Sequence, residues 1–194
     1  MSRIDDLIQE LCPDGVLEIA IGEHVRYEQP TKYIVASTDY SDAYACPVLT
    51  AGKSFLLGRT NETIGIYPAS PSSPVIIFDD FTTAFKWVDF PFKVKSSAMK
   101  IITANPGGLI ELRFLYHWMG RANYVAAEHA RHWISVYSKM DIPAPPLEVQ
   151  REIVKVLDKF TQLEAELEAE LAARRKQYEY YRDKLLTFKE LDAE

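Results

Sequence analysis

The stretch Ile142-Pro143-Ala144-Pro145-Pro146-Leu147-Glu148-Val149-Gln150-Arg151-Glu152-Ile153 divides the chain into two unlike parts. Three prolines in four positions stop whatever precedes them, because proline removes a backbone donor and disfavours helix in the residue before it. From Leu147 to Phe188 no proline or glycine follows, and apolar residues recur at steps of four and three: Ile153, Leu157, Phe160, Leu167, Leu171, Tyr178, Tyr181, Leu185 and Phe188. That spacing predicts one helix of roughly 60 Å at 1.5 Å per residue, with an apolar seam that calls for a partner helix. The proline stretch is expected to act as a hinge between a domain at 1–146 and a helical arm at 147–194.

Two members of the seam are charged, Glu164 and Arg174. With Leu157, Glu164, Leu171, Tyr178 and Leu185 in one set of core positions, and Ile153, Phe160, Leu167, Arg174, Tyr181 and Phe188 in the other, two copies pair best antiparallel. Leu167 then meets Leu171, Phe160 meets Tyr178, Leu157 meets Tyr181, Ile153 meets Leu185, and Glu164 meets Arg174 twice. A parallel pair would set like charges against each other. A matched polar layer fixes register in helical pairs. The alternative is that both charges merely face solvent beside a one-sided seam.

Before the prolines the pattern is mixed. Ser2 with Asp5 makes a helix start, and Ile4, Leu7, Ile8 and Leu11 form one helical face closed by Pro13-Asp14-Gly15. Short apolar or β-branched runs then predict strands at 16–21, 33–37, 47–50, 64–67, 75–78, 86–88, 90–94 and 99–103. Asn105-Pro106-Gly107-Gly108 breaks the series, a helix is expected over 109–119, and a last strand over 133–137. The fold class is α+β: a mixed α/β domain followed by a long coiled-coil helix.

With 47% apolar residues the first part can bury a core. No apolar run is long enough for a membrane span, the N-terminus lacks a signal-peptide pattern, and Cys12 and Cys46 read as reduced thiols, so a cytoplasmic location is expected. Residues 1–146 hold 13 basic against 16 acidic side chains, and 147–194 hold 9 against 12. Neither part has the basic excess of a protein that grips nucleic acid alone.

Several patterns resemble catalytic motifs and fail on inspection. Gly52-Lys53-Ser54 matches the end of a phosphate-binding loop, but Pro47 stands where its first glycine belongs. Asn105-Pro106 is followed by two glycines instead of the Pro-aromatic pair of an amino-methyltransferase. His129 and His132 beside Glu128 lack a further ligand set and read as a polar loop; Asp79-Asp80 reads as a solvated strand end. No metal site and no catalytic residue is expected.

Taken together the segments resemble the specificity subunit of Type I restriction-modification systems. The stretch 142–153 is similar to that family's Ile-Pro-x-Pro-Pro-Leu-x-x-Gln-x-x-Ile junction between a target-recognition domain and a conserved helix. Lys176-Gln177-Tyr178-Glu179-Tyr180-Tyr181-Arg182 with Leu185-Leu186 is similar to the far end of that helix. Residues 4–8 with Cys12-Pro13-Asp14-Gly15-Val16 resemble the family's opening, and Phe78-Asp79-Asp80-Phe81 through Trp87-Val88-Asp89-Phe90-Pro91-Phe92 one class of its recognition domains. Family members usually carry two recognition domains and two such helices; this chain has one of each, as a half-subunit or a fragment would. The resemblance implies a non-enzymatic reader of double-stranded DNA with no cofactor of its own. Its implied partners are methyltransferase subunits carrying S-adenosylmethionine and a motor-nuclease subunit using ATP and Mg²⁺. Two other readings remain: an interaction decoy that occupies the methyltransferase without reading DNA, and a nuclease built on Asp79, Asp80 and the 128–132 loop.

Base readout needs polar side chains on loops. Three segments qualify by composition: 53–61, with Lys53, Ser54, Arg59, Thr60 and Asn61; 82–86, with Thr82, Thr83 and Lys86; and 128–132, with Arg131 and His132. The four lysines between 86 and 100 are expected to lie along phosphates.

Overall fold

The computed structural model describes residues 2–50, 54–122, 124 and 131–188. The chain forms two compact units, Met1–Ile153 and Val154–Glu194.

The first unit opens with α1 (Arg3–Leu11), capped as its sequence predicts: the Ser2 hydroxyl accepts the Asp5 N–H, and the Asp5 carboxylate accepts the Ser2 N–H at 2.8 Å. That carboxyl is held below its ordinary range by those bonds to Ser2. There follow β1 (Leu17–Ala20), a one-turn α2 (Ile21–His24), β2 (Val25–Glu28) and a 3-10 turn at Pro30–Tyr33. Next come β3 (Cys46–Leu49), β4 (Leu56–Thr60), β5 (Val75–Asp79), β6 (Phe85–Val88), β7 (Lys93–Val94) and β8 (Met99–Ala104). Helix α3 (Leu112–Arg121), a one-turn α4 (His132–Ser135), β9 (Asp141–Ala144) and α5 (Leu147–Leu186) complete the order.

A four-stranded antiparallel sheet in the order β2-β8-β5-β6 carries the core. Val75-Ile76-Ile77-Phe78 of β5 is buried on both faces, as an uninterrupted apolar run of strand length should be. Val75 and Ile77 pack with Met99 and Ile101 against Leu49, Phe92 and Val94, which come from or adjoin a second sheet, β4-β3-β7. Phe78, on the opposite face, meets Trp133 at 5.4 Å and Tyr137 at 4.8 Å between ring centres. The sheet is thus covered on both sides.

Four local expectations are corrected. The proline stretch is no hinge: Asp141–Ala144 is a strand paired antiparallel with β1, Pro143 opposite Glu18. A strand with one neighbour tolerates proline because its outer N–H has nothing to bond. Trp133–Tyr137 is helical, not extended; Trp133 and Tyr137, four apart, both point inward and stack at 6.5 Å. Aromatic and β-branched content suggested a strand, but four-residue spacing decides here. The polar segment 53–61 contains β4, paired with β3 from Thr60 to Leu56. Runs 33–37 and 64–67 form only isolated bridges, Ile34 to Val94 and Tyr67 to Phe92, whereas β2 was not anticipated.

The proline stretch is locked further by Gln150 of α5. Its Nε2 donates to the carbonyls of Leu109 and Pro145, each at 2.7 Å, and its Oε1 accepts the Glu111 N–H at 2.8 Å. Glu111 in turn caps α3 by accepting the Phe114 N–H.

Candidate nucleic-acid interface

The hairpin between β5 and β6 is tightly built. Asp79 Oδ1 accepts the N–H groups of Phe81 and Thr82 at 2.8 and 3.1 Å, and Thr83 N–H returns to the Asp79 carbonyl. Thr83 sits at φ 59°, the one non-glycine in the left-handed region among the described residues. A β-branched side chain there is strained by sterics, so the surrounding bonds impose the conformation. Thr82 is left exposed at the tip, while Thr83 is buried and bonds the Thr82 and Tyr124 carbonyls.

The next residue ties this tip to a second segment. Asp80 is 2% exposed and Lys100 1%, with Oδ2 and Nζ 3.1 Å apart. Asp80 Oδ1 accepts the Trp133 N–H at 2.9 Å, and its carbonyl accepts the His132 N–H at 2.9 Å. The ring of Tyr27 lies 5.6 Å from the Lys100 ammonium. Asp79 and Asp80 are therefore buried and bonded, not solvated as expected. Arg131 is exposed just before α4, whereas His132 is buried with Nδ1 3.3 Å from the Tyr124 hydroxyl. His129 and Glu128 lie outside the described residues.

Thr50, which follows β3, and Phe55, which precedes β4, lie at the same end. Thr50 N–H bonds the Phe55 carbonyl, and Thr50 lines one small cavity with Asp79, Ala84 and Lys86. Of the candidates, the structure thus gathers Ser54, Thr82, Thr83, Lys86, Arg131 and His132 around one end of the two sheets. Lys53 lies outside the described residues. Arg59, Thr60 and Asn61 sit at the far end of β4: Arg59 donates to the Ala45 carbonyl at 2.8 Å beside an apolar cavity of about 560 Å³, and Thr60 is buried. Cys46 borders that cavity, and burial pushes its thiol pKa up.

The lysine run also needs correction. Lys93 and Lys100 are buried in ion pairs, Lys93 with Glu62 at 2.8 Å and with the Ile64 carbonyl. Glu62 also accepts the N–H groups of Ala36 and Ser37, and its carboxyl is held below its usual range, first by Lys93 and then by Ser37. Lys86 and Lys95 remain exposed. One cationic group was missed: Arg113 of α3 stacks on Trp87 at 4.6 Å and Tyr116 at 4.8 Å, beside Lys86 on β6. It is 26 positions from Trp87, so no local spacing announces it. Among the described residues no cluster of His, Cys, Asp and Glu is placed to hold a metal, and no helix is long and apolar enough to cross a membrane.

In the second unit, the seam of α5 is open along its length. Leu157, Phe160, Glu164, Leu167, Leu171, Arg174, Tyr178, Tyr181 and Leu185 are all exposed, Phe160 and Leu167 by 64% and 65%. Ile153, in the first unit, is half-buried. Arg174 has partners on its own helix, Glu170 at 3.3 Å and Gln177 at 3.4 Å.

Residues 76–173, from the central strand into the long helix, match the family described as the Type I restriction modification DNA specificity domain. The chain belongs to that family. It is 55% identical to the EcoR124I/EcoR124II specificity subunit of Escherichia coli, across all of this chain and 50% of that subunit. It is 42% identical to a putative Type I specificity subunit of Haemophilus influenzae over 41% of this chain and 24% of the other. Among solved structures, the Type I S subunit from M. genitalium shares the fold with a TM-score of 0.68, 13% identity, and coverage of 96% of this chain and 50% of that one. The HsdS subunit of Thermoanaerobacter tengcongensis follows with a TM-score of 0.52, 15% identity, and coverage of 86% and 44%. The specificity chain described here therefore spans about half the length of these relatives. Specificity subunits recognise DNA sequence and are not catalytic, which places this chain outside the enzymes.

Proposed function

We propose that this chain reads one half of a bipartite DNA site and docks methyltransferase subunits, two copies pairing antiparallel through α5. The observation that carries the pairing is the open seam: a 40-residue helix whose apolar positions are solvent-exposed is unfavourable alone. The antiparallel register covers the leucines and matches Glu164 to Arg174 twice. An isologous pair gives the assembly a two-fold axis, so the two recognition domains read inverted half-sites and helix length sets their spacing. The domain at 1–146 supplies recognition, and 147–194 the arm.

The gathered loop end is the reading face, with Ser54, Thr82, Lys86 and Arg131 as exposed contacts and Thr83 and His132 as their buried supports. Arg59, Thr60 and Asn61 are its less favoured members, lying at the other end of β4. The net acidity of the chain requires partner subunits to supply phosphate-neutralising charge. Methyltransferase subunits would bring S-adenosylmethionine, and a motor-nuclease subunit ATP and Mg²⁺, in the cytoplasm where the chromosome is.

Sequencing of methylated positions in cells expressing the chain with its methyltransferase tests this reading. A bipartite palindromic motif is the expected result. A complex that forms but protects no DNA sequence would instead mark the chain as a decoy, and an asymmetric motif would overturn the two-fold pairing.

A further inference from the structure

Burying an ion pair is costly, and an apolar pair of similar volume serves stability as well or better. Asp80–Lys100 therefore needs a reason beyond stability, and its hydrogen bonds supply one. The acceptors of Asp80 engage two other segments: Oδ2 meets Lys100 of β8, while Oδ1 and the backbone carbonyl accept the Trp133 and His132 N–H groups at the start of α4. On one side the neighbouring Asp79 fixes the tip that exposes Thr82. On the other, the bonded residues 132 and 133 immediately follow exposed Arg131. Thr83 closes the circuit through the Tyr124 carbonyl. Two segments about fifty positions apart in sequence are thereby clamped at one carboxylate, with no mobile side chain between them.

We propose that Asp80 is a positioning residue for specificity: through its bond to the Trp133 N–H it holds Thr82 and Arg131 as one reading unit for adjacent base pairs of the half-site. This rests on the DNA-reading role proposed above. Lys100 holds the carboxylate aimed; Asp80 itself touches no DNA. The strained Thr83 fits the same role, since strain persists where surrounding structure over-determines a functional conformation.

The test uses the assembled methyltransferase complex and duplexes in which each base pair of the half-site is changed in turn, with affinity and chain unfolding measured together. Asp80→Leu with Lys100→Met replaces the ion pair by apolar groups and removes the acceptor for Trp133. Discrimination should fall by about tenfold at the base pairs read by Thr82 and by Arg131 alike, within the range of about 5- to 150-fold that one correct contact contributes. Asp80→Asn with Lys100→Met keeps an Oδ1 acceptor and should restore discrimination, a rescue that stability alone would not produce. Glu62→Gln, which breaks the partly buried ion pair with Lys93, should leave discrimination unaltered. Should the leucine variant not fold, the surface variants Thr82→Val and Arg131→Ala serve: their effects should be coupled, the double variant departing from additivity. Retained discrimination in a folded leucine variant, or strict additivity of the surface pair, overturns the clamp while leaving DNA reading intact. A wild-type complex with no sequence preference overturns the DNA-reading role and the clamp with it.

Discussion

Glu164→Lys is the perturbation that tests the pairing most sharply. In the antiparallel register each Glu164 faces an Arg174, so the substitution turns two attractions into two repulsions. Exposed ion pairs contribute about 0.2–1 kcal/mol each, and reversing the sign roughly doubles the change per pair. Two pairs give about 0.8–4 kcal/mol, or a dimer weaker by about 4- to 800-fold. Arg174 first has to share or leave its intrahelical contact with Glu170 at 3.3 Å, which places the expectation in the lower half of that range. Size alone does not identify the mechanism. Leu171, 51% exposed in the single chain, has about half its burial still to gain, so Leu171→Ala costs about 1.5–3 kcal/mol over two copies. The distinguishing result is rescue: Glu164→Lys with Arg174→Glu should return the dissociation constant to within about threefold of the original by charge-pair symmetry. Sedimentation velocity over a concentration series at two salt concentrations measures both effects, the penalty shrinking at high salt. An unchanged constant in Glu164→Lys would falsify the register, since a parallel pair merely exchanges Glu opposite Glu for Lys opposite Lys.

Gln150→Leu should destabilise the first unit by about 3 kcal/mol or more, because it orphans the Glu111 N–H and the Leu109 and Pro145 carbonyls at about 1–3 kcal/mol each; a urea midpoint within error of wild type would show that water replaces all three bonds. Glu62 makes stability depend on pH. Its folded pKa is depressed, so its contribution is complete above the unfolded value of about 4.3 and is lost as pH falls through the folded value. Urea titrations from pH 7 to about pH 3 should therefore show a steeper acid loss in wild type than in Glu62→Gln, and parallel curves would count against the bond network around Glu62.

What the sequence made legible was what repetition or a local motif encodes. The seam of α5 recurs over many turns, the Ser2–Asp5 cap lies within three residues, and β5 is a bounded apolar run. Segments in which composition and partner disagree were misread. Leu56–Thr60 looks like a loop because Gly58 interrupts it and Arg59 and Thr60 are polar, and it becomes a strand because β3 lies beside it. Trp133–Tyr137 looks like a strand by residue type and is helical because both rings turn to Phe78. The candidate site was half legible: exposed Thr82, Lys86 and Arg131 follow from composition, but their convergence does not. It depends on Asp80, Lys100 and Thr50, whose contacts span 20 to 53 positions.

Those contacts share a common chemistry with several local ones, and it bears on function. The Asp79 carboxylate bonds the backbone of Phe81 and Thr82, that of Asp80 the backbone of Trp133, and that of Glu62 the backbone of Ala36 and Ser37. Lys93 bonds the Ile64 carbonyl, Asn105 the Glu23 carbonyl, and Gln150 three backbone groups. In each case a fixed polar side chain grips main-chain atoms of a connecting segment. Peptide groups are the same whatever side chain they carry, so such a grip survives substitution of the gripped residue unless proline removes the donor. Apolar packing would not behave this way, because a core contact depends on the volume of both partners. Under the proposed DNA-reading role, the arrangement separates two demands: the path of the loops is set by Asp79, Asp80 and their kind, while exposed positions such as Thr82 and Arg131 remain free to be exchanged. On that logic Thr82 and Arg131 should tolerate substitution with altered preference and near-unchanged stability, whereas Asp79 and Asp80 should not, a contrast that urea unfolding of the four single variants measures.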